Sequence, residues 1–406
     1  MRSADASSRK MSRRLTLLNA TVQRPERINS LDGLRGLAAL AVIVSHSMIT
    51  NPSVEPASID PSGAPTWVWI LAYTPLHLFW AGTEAVIVFF VLSGFVLMLP
   101  YVAGRAPHWA SYYPKRLVRL YGPVLVAVLF ATVCFLLVPR TSSPDMSDYI
   151  NRHDEMVTPL KDAFLLSGVS TLNSPLWSLQ WEVAFSLLLP LYVFFFVKLR
   201  RLWVIWVSLA FLVLAAGAAL HVAALFYLPM FACGAALAVQ KDRVHGLAKR
   251  TGIVGRIAFG AASVTFLLSS WLMPWMPGSI MFSVLGAVML VAVFLFFPIV
   301  QLFAGHRFVQ WCGSRSFAIY LIHEPVLVSI TLLLHSVNPA LVLALTLPIA
   351  FGLAELMFRF VERPCVHFGN WVGRRVARLT GAPEQPLASE AILRPAAGMR
   401  PDSSVG

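Results

Sequence analysis

The chain has 406 residues, of which 57% are apolar and only 13% charged, with 27 Phe, 12 Trp and a mean hydropathy of +0.71. A soluble domain carries about 25% charged residues, so a water-facing surface cannot be built from this composition and the length is spent on membrane spans. The remaining charge is basic, 32 Lys plus Arg against 19 Asp plus Glu for a formal +13. It falls in short clusters between apolar runs rather than on one polar face, which argues against a nucleic-acid partner.

Residues 1–27 read as a basic tail, and the apolar segment that follows lacks an A-x-A cleavage signal, so it is expected to be a retained first helix. Ten spans are expected, over 31–50, 82–101, 117–138, 178–197, 202–220, 222–240, 257–273, 280–303, 316–336 and 340–361. The fold class is therefore an all-α polytopic membrane protein. Span five meets six at His221, and nine meets ten at Asn338-Pro339, which predicts two helical hairpins. Cys134, Cys233, Cys312 and Cys365 stand alone, so neither a zinc site nor a disulfide framework is expected. No other metal site is indicated.

The first helix runs Leu31-Asp32-Gly-Leu-Arg35 and reaches His46 eleven residues after Arg35. Eleven residues return to within about 20° of the same helix face after a climb of about 16 Å. One face thus carries a cation at the helix mouth and an imidazole at mid-span, where an ionisable group is costly and marks function. A long substrate with an anionic head and a reactive far end would suit that spacing. The bland alternative is an Arg snorkelling to phosphates and a His that packs the bundle.

In the second helix, Ser93-Gly94 is read as a packing pair. At the start of the third, Arg116 and Arg119 share a face, suited to snorkelling or to phosphate capture. Residues 139–177 form the longest outer segment, with an amphipathic piece near Pro159–Ser167, and read as a lid or vestibule. The fourth helix opens Trp177-Ser178-Leu-Gln-Trp181-Glu182, placing Glu182 about two turns below the outer face, where it can partner an imidazole or a substrate hydroxyl. Trp177 and Trp181, with Trp67, Trp69 and Trp80, read as an interfacial belt in preference to a sugar-stacking wall. The ninth helix carries Tyr320 and His323 on one face ahead of Pro325. Structural hydrogen bonding around the proline is the competing explanation there.

With the N-terminus inside, ten crossings return the C-terminus to the same side. Of the 32 Lys and Arg, only Arg140, Arg152 and Lys161 then fall outside, which is the asymmetry expected of two cytoplasmic termini. The Pro-, Ala- and Ser-rich residues after about 380 read as disordered. The organisation is expected to be a tail over 1–27, a transmembrane domain over 28–366 and a cytoplasmic tail over 367–406.

Leu31-Asp-Gly-Leu-Arg-Gly-Leu with His46, Phe89-Phe-Val-Leu-Ser-Gly-Phe, Arg116-x-x-Arg119, Trp177-Ser-Leu-x-x-Glu182, the run from Ser316 to His323 and Glu362-Arg-Pro occur in this order. Together they resemble bacterial acyltransferase family 3, the integral membrane O-acyltransferases. The resemblance implies transfer of an acyl group, commonly acetyl, from cytoplasmic acyl-coenzyme A to a hydroxyl of an envelope or secreted glycan or glycolipid, in the bacterial inner membrane. It implies that His46 is the essential histidine and that Arg116 and Arg119, with Arg35, serve the donor. His46 would act as general base or as an acyl-accepting nucleophile, with Glu182 as its partner and Tyr320, Ser93 or His323 as oxyanion donors. The fourth-helix motif departs from relatives with two adjacent acids, having Trp181-Glu182-Val183, and Ala85-Val86-Ile87-Val88 precedes Phe89 where Gly-Val and an acid are usual. A secondary transporter using His46 and Glu182 as a proton relay is the rival class. It predicts repeat symmetry, and no internal repeat is evident.

Overall fold

The computed structural model describes residues 28–54, 61–105, 107–138, 140, 145–152, 158–166 and 168–381. The expected tail over 1–27 and the residues after 381 lie outside them. The described residues are helical with no strand. The helices are α1 (Asn29–Met48), α2 (Thr66–Ala72), α3 (Gly82–Val102), α4 (Trp109–Leu137), α5 (Asp148–Asn151), α6 (Pro159–Phe164), α7 (Leu176–Val193), α8 (Trp203–Leu220) and α9 (Ala223–Val239). They continue as α10 (Lys241–Arg250), α11 (Ile253–Leu267), α12 (Ser269–Leu272), α13 (Ser279–Phe296), α14 (Pro298–Ala304), α15 (Arg307–Leu334), α16 (Pro339–Met357) and α17 (Arg363–Leu379).

Among the described residues, eight helices are long and apolar enough to cross a membrane, or nine if α9 and α10, bent by 66°, count as one span. The protein is therefore an integral membrane protein, with fewer qualifying spans than the ten expected. The expected sixth span, α9, qualifies only when joined to α10, and the expected seventh falls short in either count. Its helix, α11, has 15 residues and rises about 22 Å, short of the ~30 Å hydrocarbon core. Both hairpins form as expected. His221 closes α8 and His335 closes α15 in the left-handed region, at φ 54° and 49°, the conformation that ends a helix and turns the chain. The next helix, α16, starts on Pro339, while the Asn338 side chain accepts the Ala340 N–H at 3.0 Å. Helix α17 runs to Leu379, so residues 367–379 of the expected tail are helical.

Helices α1 and α15 run side by side from the face where α1 begins, here the near face, toward the far face. Lipid offers no hydrophobic drive for helix pairing, so close backbone approach has to supply it. At the near-face end of the pair, a Cβ on Gly36 would lie 2.6 Å from the Gly313 nitrogen, and one on Gly313 would lie 2.1 Å from the Asp32 carbonyl oxygen. Both helices climb ten residues from this crossing, about 15 Å, and so bring His46 level with His323. Gly94, from the Ser93-Gly94 pair, seats in the same way against the Phe231 carbonyl of α9. The buried apolar side chains form one cluster around α3, α9 and α13 and another around α1, α4, α7 and α15.

The crossing predicts two opposite outcomes for the same substitution. Gly313→Ala drives a Cβ into backbone and is expected to destabilise the detergent-solubilised protein by about 1–3 kcal/mol. Gly352→Ala on α16, with nothing within 4 Å of its Cβ, is expected to be neutral or stabilising by up to about 1 kcal/mol. Thermal unfolding of both variants checks this, and equal midpoints would contradict the crossing.

Candidate active site

His46 sits near the far end of α1, and its Nδ1 lies 3.1 Å from His323 Nε2, with ring centroids 5.0 Å apart. The backbone dictates the proton positions. His323 Nδ1 is 3.2 Å from the Ile319 carbonyl, which can only accept, so in neutral His323 the proton is on Nδ1 and Nε2 is an acceptor. His46 Nδ1 therefore donates, to His323 Nε2 and to the Val42 carbonyl at 3.0 Å. Neutral His46 is left with its basic lone pair on Nε2. The Val42 carbonyl and His323 Nε2, both acceptors, thus fix the tautomer of His46 together.

Pro325 shapes what covers this pair. It has no N–H, so the carbonyl four residues earlier, Leu321, loses its helical donor. Asn173 takes the place, its Nδ2 donating to Leu321 O at 3.0 Å. The outer segment is drawn into the bundle at that point, and Leu165, Leu172 and Leu176 become fully buried. Ser174 donates both its hydroxyl and its N–H to the buried Glu324 carboxylate. Tyr149 of α5 donates to the same carboxylate at 2.6 Å while its ring lies 5.6 Å from the His46 ring. Burial first, and then the Glu324 charge, push the Tyr149 phenol well above its ordinary value, so it stays protonated and a donor. The outer segment is thus a strap over the imidazole pair.

Tyr320 is also at this level, its ring 5.8 Å from that of His323. Its hydroxyl is 2.7 Å from Ser178 Oγ and donates to the Pro175 carbonyl at 3.0 Å. These bonds place the start of α7 beside the middle of α15 and not at its far end. The expected placement of Glu182 changes accordingly. Two turns into α7, it sits lower than either imidazole and pairs with Arg116, whose Nη2 donates at 2.5 Å. Arg116 Nε donates to Ser186 Oγ at 3.0 Å, and Ser93 Oγ reaches Glu182 at 3.4 Å. Glu182 is therefore the partner of a guanidinium and not of a histidine. For the same reason Trp177 and Trp181 pack inside the bundle against Tyr227, at 5.0 and 5.3 Å, while Trp67 and Trp69 are exposed.

Toward the near face, Arg35 lies 3.8 Å from Asp32 on its own helix. Arg119, half-buried, is surrounded by the charges of Arg116, Glu362, Arg35 and Glu182. The predicted site residues thus separate into two groups, His46, His323 and Tyr320 where the far end of α1 meets the middle of α15, so that His46 lies beyond the mid-span position expected for it, and Arg35, Arg116, Arg119 and Glu182 nearer the mouth. Sequence reasoning passed over Glu324, adjacent to His323, and Tyr149, whose contact with Glu324 spans 175 positions and leaves no local signal. The upper group can accept a proton at His46 Nε2 and return it, and the lower group forms a polar entrance below it.

A family model described as an acyltransferase domain, that of acyltransferase family 3, matches residues 28–358. The acyltransferase MdmB of Streptomyces mycarofaciens is 30% identical over 189 residues, 44% of this chain and 43% of that protein. The peptidoglycan O-acetyltransferase OatA of Listeria monocytogenes is 23% identical over 394 residues, 83% of this chain and 55% of that protein. The chain spans about half the length of these curated relatives. No solved structure matches it.

A double-mutant cycle tests the strap. Tyr149→Phe and Glu324→Gln are each expected to lower stability, with a coupling of about 1–3 kcal/mol, because a hydrogen bond to a buried charge is lost only once. Strict additivity in denaturation would place Tyr149 away from Glu324.

Proposed function

This chain belongs to acyltransferase family 3, and from that premise we propose that it is an O-acyltransferase of the bacterial inner membrane, with both termini cytoplasmic. The donor is acyl-coenzyme A, most simply acetyl-coenzyme A, and the acceptor is a hydroxyl of an envelope or secreted glycan or glycolipid. The observation that carries this reading is the imidazole pair, whose tautomers put the basic lone pair of His46 on Nε2 near the far end of α1, above an arginine-lined entrance. The near face is the cytoplasmic one, because the Lys and Arg of the chain gather toward it. The peptidoglycan O-acetyltransferase among the relatives supports a glycan acceptor.

The donor's pantetheine arm climbs past Arg35, Arg116 and Arg119 and brings the thioester beside His46. The acceptor hydroxyl enters from the far side, beneath the strap. As its oxygen bonds to the thioester carbonyl carbon, its proton passes to His46 Nε2. The tetrahedral adduct collapses, the carbon–sulfur bond breaks, and the leaving thiolate takes the proton back from His46. His323 does not touch the reacting atoms. It is a positioning residue that holds the His46 ring and accepts from Nδ1 while the ring is charged. Glu182 keeps the Arg116 guanidinium in place and takes no proton in this scheme.

Thioester consumption by the purified protein, with and without a glycan acceptor, tests the proposal. His46→Ala is expected to lower turnover by about 10²–10⁴-fold, and His323→Ala by less, with donor KM unchanged in both. Turnover that persists in His46→Ala would refute the base assignment.

A further inference from the structure

A second buried ionisable pair lies outside the site described above, toward the far face. Glu84 stands in the first turn of α3, and His77 in the 3₁₀ turn over Pro75–Trp80 that precedes it. Their side chains approach to 3.6 Å, and each residue is 1% exposed. That separation is too long for a direct hydrogen bond. Both ring nitrogens of His77 and Oε2 of Glu84 are without a hydrogen-bond partner among the described residues. Polar atoms buried in this way are costly until a further donor or acceptor reaches them. An ionisable pair in the opening turn of a spanning helix also marks a substrate path.

A ladder of aromatic rings joins this pair to the surface. The His77 ring lies against Trp80 at 4.4 Å and against Trp271 of α12 at 4.3 Å. Trp271 meets Tyr73 at 5.9 Å, and Tyr73 meets Trp69 of α2 at 6.3 Å. Trp80, whose Nε1 donates to the Leu71 carbonyl at 3.0 Å, is 3% exposed and so is no part of an interfacial belt. Exposure rises outward along the ladder to 47% at Trp69. Belt residues turn their rings to lipid at one level, whereas these rings face one another and lead inward to an imidazole and a carboxylate. A lipid tail has no use for that inner end. A saccharide suits both ends, since its C–H faces lie flat on aromatic rings and its hydroxyls donate and accept hydrogen bonds. Aromatic walls with a few placed polar groups are the usual make-up of a small-ligand site. The location fits as well. Gly82, at the start of α3, seats against Ser45, where a Cβ would lie 2.5 Å from the hydroxyl. Ser45 is the neighbour of His46, so the ladder and the imidazole pair flank the same turn of α1.

We propose that the ladder is an acceptor subsite, which holds a sugar unit of the glycan beside the unit that reacts at His46. The inference rests on the glycan-acceptor reading above. Sugar faces stack on Trp69 and Tyr73. The Trp271 ring, which covers the buried pair in this structure, moves aside so that a hydroxyl meets His77 and Glu84. The work on the acceptor is thus divided, with proton transfer at His46 and recognition of the adjoining sugar on the other side of α1.

The test follows labelled acetyl from acetyl-coenzyme A onto an array of bacterial envelope oligosaccharides, with the purified full chain in detergent. For the oligosaccharides that the wild type labels, Trp69→Ala and Trp271→Ala are each expected to raise the acceptor KM about 10-fold, or about 1.4 kcal/mol. Labelling at saturating sugar and coenzyme A affinity should stay as in the wild type, and Trp69→Phe, which keeps a ring, should recover most of the loss. Glu84→Gln should also raise the acceptor KM. If that buried substitution prevents folding, Trp69 at the surface still decides the matter. Trp275→Ala removes a ring that is 78% exposed and outside the ladder, and should change nothing. An acceptor KM equal to the wild type in both Trp69→Ala and Trp271→Ala would overturn the subsite and leave the glycan reading intact. A loss in Trp275→Ala as large as in Trp69→Ala would show that these rings serve only as a membrane belt, and the proposal would fail. A wild type that consumes acetyl-coenzyme A yet labels no oligosaccharide would overturn the glycan reading itself.

Discussion

The meeting of α1 and α15 at Gly36 and Gly313 is the constraint on which the rest of the site depends. Two parallel helices in backbone contact cannot slide without clash, so equal climbs from the crossing fix which side chains meet above it. The residues ten positions on are His46 and His323, and their 3.1 Å contact follows from that register. A histidine within a spanning helix is costly when isolated. Here each ring has a carbonyl of its own helix and the other ring as neighbours, which reduces the cost and leaves one nitrogen with a defined lone pair.

Missing and unmet backbone groups complete the site. Pro325 frees a carbonyl deep in α15, and Asn173 reaches in to satisfy it. The price of burying Glu324 beside it is offset by the three donors of Tyr149 and Ser174, in keeping with the rule that a buried carboxylate survives only when its oxygens are bonded. The strap is therefore tied to the same turn of α15 that carries His323. Movement of the strap and access to the imidazoles are mechanically linked, because Tyr149 contacts both Glu324 and His46. Toward the near face the same rule pairs Arg116 with Glu182.

Much of this was legible in the sequence wherever the information is periodic. The eleven-residue step from Arg35 to His46, the Tyr320 and His323 face, the two hairpins and the asymmetry of the cations all follow from helix geometry or from loop charge. Span counting was less secure, since apolarity alone does not reveal that α11 stops after 15 residues. Glu182 was misplaced because the sequence marks where an apolar run begins, not how deep that point lies. The depth of α7 is set by contacts from Asn173, Pro175 and Ser178 to α15, all at long range. Glu324 and Tyr149 were illegible for a related reason. A buried acid beside a histidine reads as ordinary helix sequence until its distant partner is known.

The central claim is that the Val42 carbonyl and His323 together fix His46 with its proton on Nδ1 and its lone pair on Nε2. Nitrogen-15 NMR of histidine-labelled protein in lipid, with His46 assigned by difference against His46→Gln, reads this directly at a pH where both rings are neutral. The account predicts a protonated Nδ1 and an unprotonated Nε2 for His46, a state that His323→Ala keeps through the Val42 carbonyl while the Nδ1 resonance shifts on loss of the second acceptor. A His46 ring protonated on Nε2 in the intact protein would contradict it.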